Sequence, residues 1–301
     1  MKILEKPLLS ERTTIRLGGQ AIAEVVLENE DDYLLLHETL RSLGGSPYIM
    51  GGGSNLLIHD GDLPIVILST SRSGRSITLV SPPSSHEENV QVHVTAGTPL
   101  PQLLSWCSRH GLSGLEGLAG IPGHVGGAIA MNAGAFGSNT DPLLKQLKVY
   151  TPERGLHELS HQDDWNYAYR HFSLQQKCAW FLITAADFIL KKSSPEAVKN
   201  AIKKNLALKI KTQPVQFSTA GCIFKNPVGD HAGRLLDASE VKGLRKGAFY
   251  FSQIHANFLV HDVKCGIPGI FDDAMSLILQ AQKKVYERFG ITLETEVIVW
   301  S

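Results

Sequence analysis

The first seventy residues alternate between strand-like and helix-like patterns of apolar positions. Apolar residues recur at the spacing of one helix face at Tyr33, Leu36, Leu40 and Leu43. With the glycine pair that follows, this spacing predicts an amphipathic helix over 31–43. Short apolar runs predict strands at 23–27, 48–50 and 65–69, and we therefore expect a small α+β unit here.

The middle of the chain shows a second helical stripe followed by long strand-like runs. The stripe consists of Leu100, Leu103, Leu104 and Cys107, and a glycine at 111 is expected to end the helix. Strands are predicted at 90–96, 146–150 and 180–190. The Ser-, Pro- and Gly-rich stretch 70–88 is interpreted as a hairpin or linker with a domain boundary in it.

The last hundred residues begin with a charged helix from 195 to about 208, which links them to the middle of the chain. Its apolar face consists of Val198, Ile202 and Leu206. A strand-like run follows at 249–260, then a helix at 271–289 and a strand at 295–300. The inward face of the second helix is expected to carry Met275, Ile278, Val285 and Phe289.

Composition excludes several classes of protein. Lys plus Arg equals Asp plus Glu, at 29 each, so the broad basic surface of a nucleic-acid-binding protein is not expected. The four cysteines lie far apart without a CxxC pair, which predicts neither a zinc site nor a disulfide framework. No stretch approaches the ~20 apolar residues that span a bilayer. We therefore expect a soluble, unexported protein of the reducing cytoplasm.

Two glycine-rich segments are the first candidates for ligand binding. They are GGGSNLLI at 51–58 and GIPGHVGGAIAMNAGAFG at 120–137. Glycines let backbone N–H groups approach a diphosphate closely, although either segment alone is equally typical of an ordinary turn. Neither segment matches a P-loop or the GxGxxG of a Rossmann unit. A dinucleotide would therefore be held by another fold.

Eight motifs in order resemble the MurB family, the UDP-N-acetylenolpyruvoylglucosamine reductases. They are TTIRLGG (13–19), GGGSNLLI (51–58), GLAGIPGHVGGAIAMNAGAFG (117–137), YAYR (167–170), TAGCIFKNP (219–227), AGRLLDAS (232–239), SQIHANFLV (252–260) and LETEV (293–297). They span nearly the whole chain and are similar to the shorter type of the family, which lacks an extra insertion.

The resemblance implies an α+β fold of the vanillyl-alcohol-oxidase type. Two FAD-binding subdomains are expected at 1–75 and 76–200, and an α+β substrate domain at 201–301. The implied cofactor is FAD, the donor is NADPH and the substrate is UDP-N-acetylglucosamine enolpyruvate. No membrane or nucleic-acid partner and no metal is implied, and the oligomeric state is left open.

The resemblance also implies which residues bind the ligands. The cofactor-binding positions are Gly51, Gly52, Gly53, Ser54, Asn55, Leu56, Gly120, Ile121, Pro122, Gly123, Gly126, Gly127, Ala128, Asn132 and Gly134. The substrate-binding positions are Tyr169, Lys225, Asn226 and His255. An asparagine that caps a helix and a histidine satisfied in the core are the structural alternatives for Asn226 and His255.

Three residues match the chemistry of the implied reaction. Hydride addition to C3 of an enolpyruvyl group places negative charge on C2 and its carboxylate, which calls for a cation and a proton donor. Arg170 in YAYR is the implied cation, and Glu296 in LETEV is the acid that works with it. The proton donor position falls on Cys222, where most members of the family have serine.

The sequence departs from the family at two histidines as well. His261 stands where asparagine is common, and His124 stands where a small or hydroxyl residue is usual. Some oxidases of this fold attach FAD covalently through histidine, so a tether at His124 is one alternative and a solvent-facing loop histidine is the other. An oxygen-using oxidase and a flavin-binding protein without turnover also remain as alternative functions.

Overall fold

The computed structural model describes residues 1–70, 75–80, 88–135, 138–160 and 164–301. The chain forms two compact units, each built from separate stretches. The first unit contains Met1–Glu5, Ile22–Gly52 and Pro64–Ala207. The second contains Lys6–Ala21, Gly53–Leu63 and Leu208–Ser301.

Helices and strands both contribute to each unit. The helices are α1 Asp32–Leu43, α2 Leu100–His110, α3 Val125–Ala130, α4 Pro195–Thr212, α5 Ala232–Ala238 and α6 Phe271–Phe289. The strands up to residue 113 are β1 Lys2–Glu5, β2 Gln20–Leu27, β3 Ser46–Ile49, β4 Leu56–Ile58, β5 Asp62–Thr70, β6 Ile77–Leu79, β7 Asn89–Thr95 and β8 Leu112–Ser113. The later strands are β9 Gly134–Ala135, β10 Ser138–Asn139, β11 Leu144–Thr151, β12 Gly155–Leu159, β13 Trp165–Ala168, β14 His171–Leu174, β15 Leu182–Lys192, β16 Ser218–Cys222, β17 Arg245–Lys246, β18 Phe249–Phe251, β19 Phe258–His261 and β20 Ile298–Trp300.

The first unit contains two larger sheets, each with its own apolar core. One sheet has the order β1-β2-β5-β3, and Leu36 of α1 is buried in the same core as Val25 of β2 and Val66 of β5. The other has the order β12-β11-β15-β7-β6. Strand β7 alternates buried and less buried residues, and its valines pack in the core that contains the apolar stripe of α2. Both units place the apolar face of a helix against a sheet, as an α+β protein does.

The second unit is built around the sheet β16-β19-β18-β17 and the long helix α6. Ile278 and Val285 of α6 lie in one core with Phe249 and Phe251 of β18. Strands β4 and β20 pair in parallel, so that residues 56–58 lie beside the C-terminal strand. This pairing joins the first glycine-rich motif to the segment that contains LETEV.

Most predicted elements are confirmed. The helix predicted over 31–43 is α1, the one predicted at 271–289 is α6, and all four apolar residues of the α2 stripe are buried. The left-handed Gly111 ends α2 as expected. The predicted linker at 70–88 contains β6, and its residues 71–74 and 81–87 lie outside the described residues.

Three predictions near the C-terminus are wrong in detail. Helix α4 runs beyond 208 to Thr212, because the first residue that disfavours a helix is Pro214, and Leu206 is 39% exposed rather than buried. The apolar run 249–260 forms β18 and β19 of a hairpin, closed by a hydrogen bond of 2.9 Å from Ser252 N–H to Phe258 O. The last strand begins at Ile298, and Thr295 makes only an isolated bridge.

Candidate active site

The two glycine-rich segments touch each other in the first unit. A Cβ atom on Gly52 would lie only 2.7 Å from the Cα atom of Gly123. A Cβ atom on Gly51 would lie 3.9 Å from Nδ1 of His124, which is ordinary van der Waals distance. The close approach at Gly52 leaves no room for a side chain. Glycine is therefore required here to bring the two backbones together.

The second glycine-rich segment is fixed by backbone hydrogen bonds where it enters α3. Val125 N–H donates to Thr98 O and Gly126 N–H donates to Ala96 O, both at 2.9 Å. A Cβ atom on Gly126 would come within 2.9 Å of the Ala96 Cβ atom, whereas one on Gly127 would meet no heavy atom within 4 Å. Gly126 therefore packs against the protein, while Gly127 presents bare backbone to open space. This open, glycine-lined backbone fits a flavin dinucleotide.

The rest of the first glycine motif lies in the second unit. Gly53 has a φ angle of 63°, and its carbonyl accepts a hydrogen bond of 3.0 Å from Thr14 N–H. Ser54 and Asn55 follow, and Leu56 begins β4. The side-chain Nδ2 of Asn55 donates to the backbone oxygen of Glu296 at 3.1 Å. Asn55 therefore holds the segment that contains the predicted acid.

Arg170 lies at the turn of the hairpin formed by β13 and β14. Its φ angle of 55° is left-handed, as the tight turn after Ala168 requires. The guanidinium donates to the carbonyls of Asn132 at 3.4 Å and Gly134 at 3.2 Å. Asn132 is buried, and its Nδ2 donates to Ala168 O at 3.1 Å. The structure thus brings Arg170 together with two predicted cofactor-binding residues.

Tyr169 precedes Arg170 in the same turn and is 53% exposed. The guanidinium carbon of Arg170 lies 5.4 Å from the centre of the Tyr169 ring, within the range of a cation–π contact. The ring therefore covers one side of the guanidinium. This arrangement restricts the rotamers of Arg170.

Cys222 and Glu296 belong to neighbouring segments of the second unit. Cys222 is the last residue of β16 and pairs with Phe258 of β19. The carbonyl of the next residue, Ile223, accepts a hydrogen bond of 2.7 Å from Glu296 N–H. Both side chains are partly exposed. The segments that carry the predicted proton donor and the predicted acid are therefore adjacent.

The other substrate candidates of this unit make contacts with the protein itself. Lys225 Nζ lies 3.5 Å from the carboxylate of Glu294, a surface ion pair that contributes little to stability. Oδ1 of Asn226 accepts a hydrogen bond of 2.9 Å from Ala232 N–H, the first residue of α5. Asn226 therefore has the helix-capping role that was its structural alternative.

His255 is held in one neutral form. Asn257 N–H donates to its Nδ1 at 3.2 Å, so the proton of the neutral ring lies on Nε2. Burial lowers the pKa of His255, and the nearby charge of Lys242 lowers it further. A Cβ atom on Gly233 would come within 2.8 Å of the imidazole. The glycine of AGRLLDAS is therefore needed to accommodate the ring.

The remaining departures from the family pattern have different environments. His261 is buried, its Nδ1 lies 2.9 Å from Ile15 O, and its ring stacks on Phe249 at 4.6 Å. It is a core residue. His124 is partly exposed and directly precedes α3.

Cys107, which belongs to the apolar stripe of α2, is a packing residue. Burial raises the pKa of its thiol to about 12.

Sequence reasoning missed two residues that hold this region, Thr14 and Asn257. Oγ1 of Thr14 donates to Thr219 O in β16 at 2.7 Å, and Thr14 N–H binds the Gly53 carbonyl. Asn257 is 2% exposed, and both atoms of its side-chain amide bind Phe224. Thr14 lies inside the motif TTIRLGG and Asn257 inside SQIHANFLV. Their place in these motifs was the signal that could have identified them.

Comparisons with known proteins agree along the whole chain. A model of the C-terminal domain of UDP-N-acetylenolpyruvoylglucosamine reductase matches residues 213–300, and a FAD-binding-domain model matches 22–160. The reductase of Nitratidesulfovibrio vulgaris is 44% identical over 100% of this chain and 99% of its own length. That of Oleidesulfovibrio alaskensis is 44% identical over 99% and 98%. The chain belongs to the UDP-N-acetylenolpyruvoylglucosamine reductase (MurB) family.

A solved structure of the MurB family supports the same assignment. The crystal structure of the reductase from Thermus caldophilus covers 100% of both chains with a TM-score of 0.81 and 30% identity. The predicted fold class, α+β with a FAD-binding fold and a separate C-terminal domain, is confirmed. The chain is a flavin-dependent oxidoreductase of peptidoglycan synthesis, and FAD is its cofactor.

In the described part of the chain, no group of three or more His, Cys, Asp or Glu side chains could hold a metal ion. Among the same residues, no helix has the length and apolar character needed to cross a membrane.

Proposed function

We propose that this chain reduces UDP-N-acetylglucosamine enolpyruvate to UDP-N-acetylmuramate with NADPH as donor. The observation that carries the proposal is the hydrogen bond of 2.7 Å between Glu296 N–H and Ile223 O. It joins the backbone of Glu296 to that of Ile223, the residue after Cys222, and Cys222 occupies the proton donor position that the family resemblance implies. Bound FAD would supply the redox chemistry that links NADPH to C3 of the enolpyruvyl group, and the protein would supply the proton at C2.

Each proposed catalytic residue has a separate task. Arg170 binds the substrate carboxylate, since its planar guanidinium suits two carboxylate oxygens and the carbonyls of Asn132 and Gly134 fix its direction. Glu296 acts with Arg170 to polarise that carboxylate. The Cys222 thiol gives its proton to C2 and recovers one from solvent. Placing positive charge and an acid where negative charge develops lowers the barrier.

The proposed ligand contacts follow from the two glycine segments and the surrounding motifs. The cofactor-binding residues are proposed to be Gly51–Leu56, Gly120–Gly123, Gly126–Ala128, Asn132 and Gly134. Tyr169, Lys225, Asn226 and His255 are proposed to contact the substrate. His255 would do so through its Nε2–H donor, because Nδ1 is already occupied. The proposed domains are 1–75, 76–200 and 201–301.

One anaerobic experiment tests the function. NADPH is added to the purified yellow protein, and the enolpyruvyl substrate is added after the flavin has bleached. We expect recolouring only with the substrate, at one equivalent per flavin, and UDP-N-acetylmuramate as product. Rapid recolouring by oxygen instead would identify an oxidase, and a flavin that NADPH does not bleach would indicate a binding protein without turnover.

A further inference from the structure

The chain leaves the regular sheet where it passes Cys222. Strand β16 pairs with β19 at Thr219↔Val260 and Cys222↔Phe258, so that three steps on one strand match two on the other. This difference is a β-bulge, and Gly221 within it has a φ angle of 81°. Strand β19 has no residue before Phe258. The residues after Cys222 therefore extend past the end of the ladder.

Asn257 supplies the missing hydrogen bonds at that point. Its backbone oxygen accepts from Ile223 N–H at 2.9 Å. Its Oδ1 accepts from Phe224 N–H at 2.9 Å, and its Nδ2 donates to Phe224 O at 2.8 Å. The side-chain amide thus takes the place of a strand's peptide group. The amide satisfies both the N–H and the carbonyl of buried Phe224. Replacing either its oxygen or its nitrogen would therefore leave a buried polar group without its hydrogen bond.

The two residues held by Asn257 connect the proposed proton donor to the proposed acid. Ile223 follows Cys222 directly and binds Glu296 N–H through its carbonyl, and Phe224 bridges to Thr295. A movement of Ile223 and Phe224 would therefore move both Cys222 and Glu296.

We propose that Asn257 is a positioning residue, which sets Cys222 and Glu296 for protonation of the enolpyruvyl substrate. The inference rests on the proposed function. A displacement of reacting groups by ~1 Å can cost ~10²-fold in rate. Removal of the amide should therefore slow the substrate half-reaction much more than flavin reduction by NADPH, since the side-chain amide contacts Phe224, which lies between the Cys222 and Glu296 segments.

The test compares Asn257→Ala, Asn257→Asp and a matched control, Asn205→Ala. The control removes an amide that donates to Glu116 O at 2.9 Å in the first unit. On the FAD-loaded proteins, stopped-flow absorbance gives the bleaching rate with NADPH and the recolouring rate with substrate. We expect Asn257→Ala to recolour ~10–100-fold more slowly while bleaching changes by less than about threefold. Asn257→Asp keeps the acceptor for Phe224 N–H but turns a second acceptor toward Phe224 O, so its recolouring should also be slower than that of wild type.

A second measurement follows position without turnover. Alkylation of Cys222 by iodoacetamide is timed by peptide mass spectrometry, with Cys265 of the same protein as an internal reference. Asn257→Ala should change the alkylation rate of Cys222 severalfold and leave the alkylation rate of Cys265 unchanged. In the Asn205→Ala control, both rates should equal those of wild type. This measurement needs neither NADPH nor substrate and can be made on protein without FAD.

The outcomes separate the inference from the function on which it rests. Equal losses in both half-reactions, or unchanged Cys222 labelling with a normal recolouring rate, would overturn the positioning role. If Asn257→Ala yields no folded protein, the same comparison made with Asn257→Asp decides. A wild-type protein that bleaches but does not recolour with substrate would instead overturn the proposed function, whatever the variants show.

Discussion

Gly127→Ala offers a direct test of the proposed cofactor cradle, because it should strengthen the fold and weaken FAD binding at once. Gly127 lies in α3, is exposed, and would present a new methyl group to open space with no heavy atom within 4 Å. Alanine is preferred over glycine within a helix by ~0.5–1 kcal/mol. The FAD-free protein should therefore melt roughly 1–4 °C higher.

The same methyl group would occupy space that the cofactor is proposed to use. Overpacking by one methyl typically costs ~1–3 kcal/mol, so the dissociation constant of FAD should rise roughly 5- to 150-fold. Differential scanning fluorimetry of the FAD-free protein and titration with FAD, followed by flavin fluorescence, give the two quantities. A dissociation constant within twofold of wild type would show that Gly127 does not line the cofactor site.

Gly52→Ala serves as the contrasting variant. Its Cβ atom would lie 2.7 Å from Gly123 Cα, so the two backbones must separate. Both the stability of the FAD-free protein and FAD affinity should fall, because overpacking of this kind costs ~1–3 kcal/mol. Opposite signs of the melting shift at Gly127 and Gly52 would separate a ligand-facing glycine from a packing glycine. Equal shifts would contradict the assignment.

Three further predictions concern the proposed catalytic and substrate residues. Arg170→Lys should slow recolouring by substrate ~10–100-fold with little change in bleaching by NADPH, since lysine lacks the planar fork; equal losses would contradict a carboxylate role. Cys222→Ala should slow recolouring by ~10²–10⁴ and Cys222→Ser much less, as measured by stopped flow; an alanine variant near the parent rate would make the thiol a packing residue. Because burial lowers the pKa of folded His255, the unfolded state takes up a proton before the folded state does as pH falls below ~6.5, and the free energy of unfolding should decline there. His255→Gln should make this decline with pH less steep in urea titrations. An unchanged slope would exclude His255 as its source.

The sequence predicts elements well wherever periodicity and an end signal agree. Helices α1 and α6 both show an apolar face that recurs every three to four residues and a glycine immediately after the last turn. Helix α4 lacks such a glycine, and its predicted end was wrong by four residues, since 208 was expected and Thr212 is found. The prediction of one strand-like run over 249–260 was wrong for a different reason. The run contains a turn between β18 and β19, and hydrogen bonds of Ser252, His255 and Phe258 close this turn.

The proposed catalytic residues could be named from motifs, but their surroundings could not. Nothing in the spacing of YAYR and GLAGIPGHVGGAIAMNAGAFG indicates that Arg170 binds the carbonyls of Asn132 and Gly134. Such contacts join residues 36–38 positions apart in the chain, and only the fold determines them. Likewise, Glu296 was expected within a strand. It lies before β20 and is held by Ile223 and Asn55 instead.

Four asparagines in the matched motifs show why a motif cannot distinguish ligand contact from positioning. Each uses its side-chain amide on a backbone group: Asn55 on Glu296, Asn132 on Ala168, Asn226 on Ala232 and Asn257 on Phe224. An amide has a donor and an acceptor, so it can bind a cofactor or replace a peptide group equally well. In this chain three of the four hold residues at or within two positions of Arg170, Cys222 and Glu296. Substitutions there should alter the substrate half-reaction through geometry, and at Asn55 and Asn132 also through the proposed contact to the cofactor.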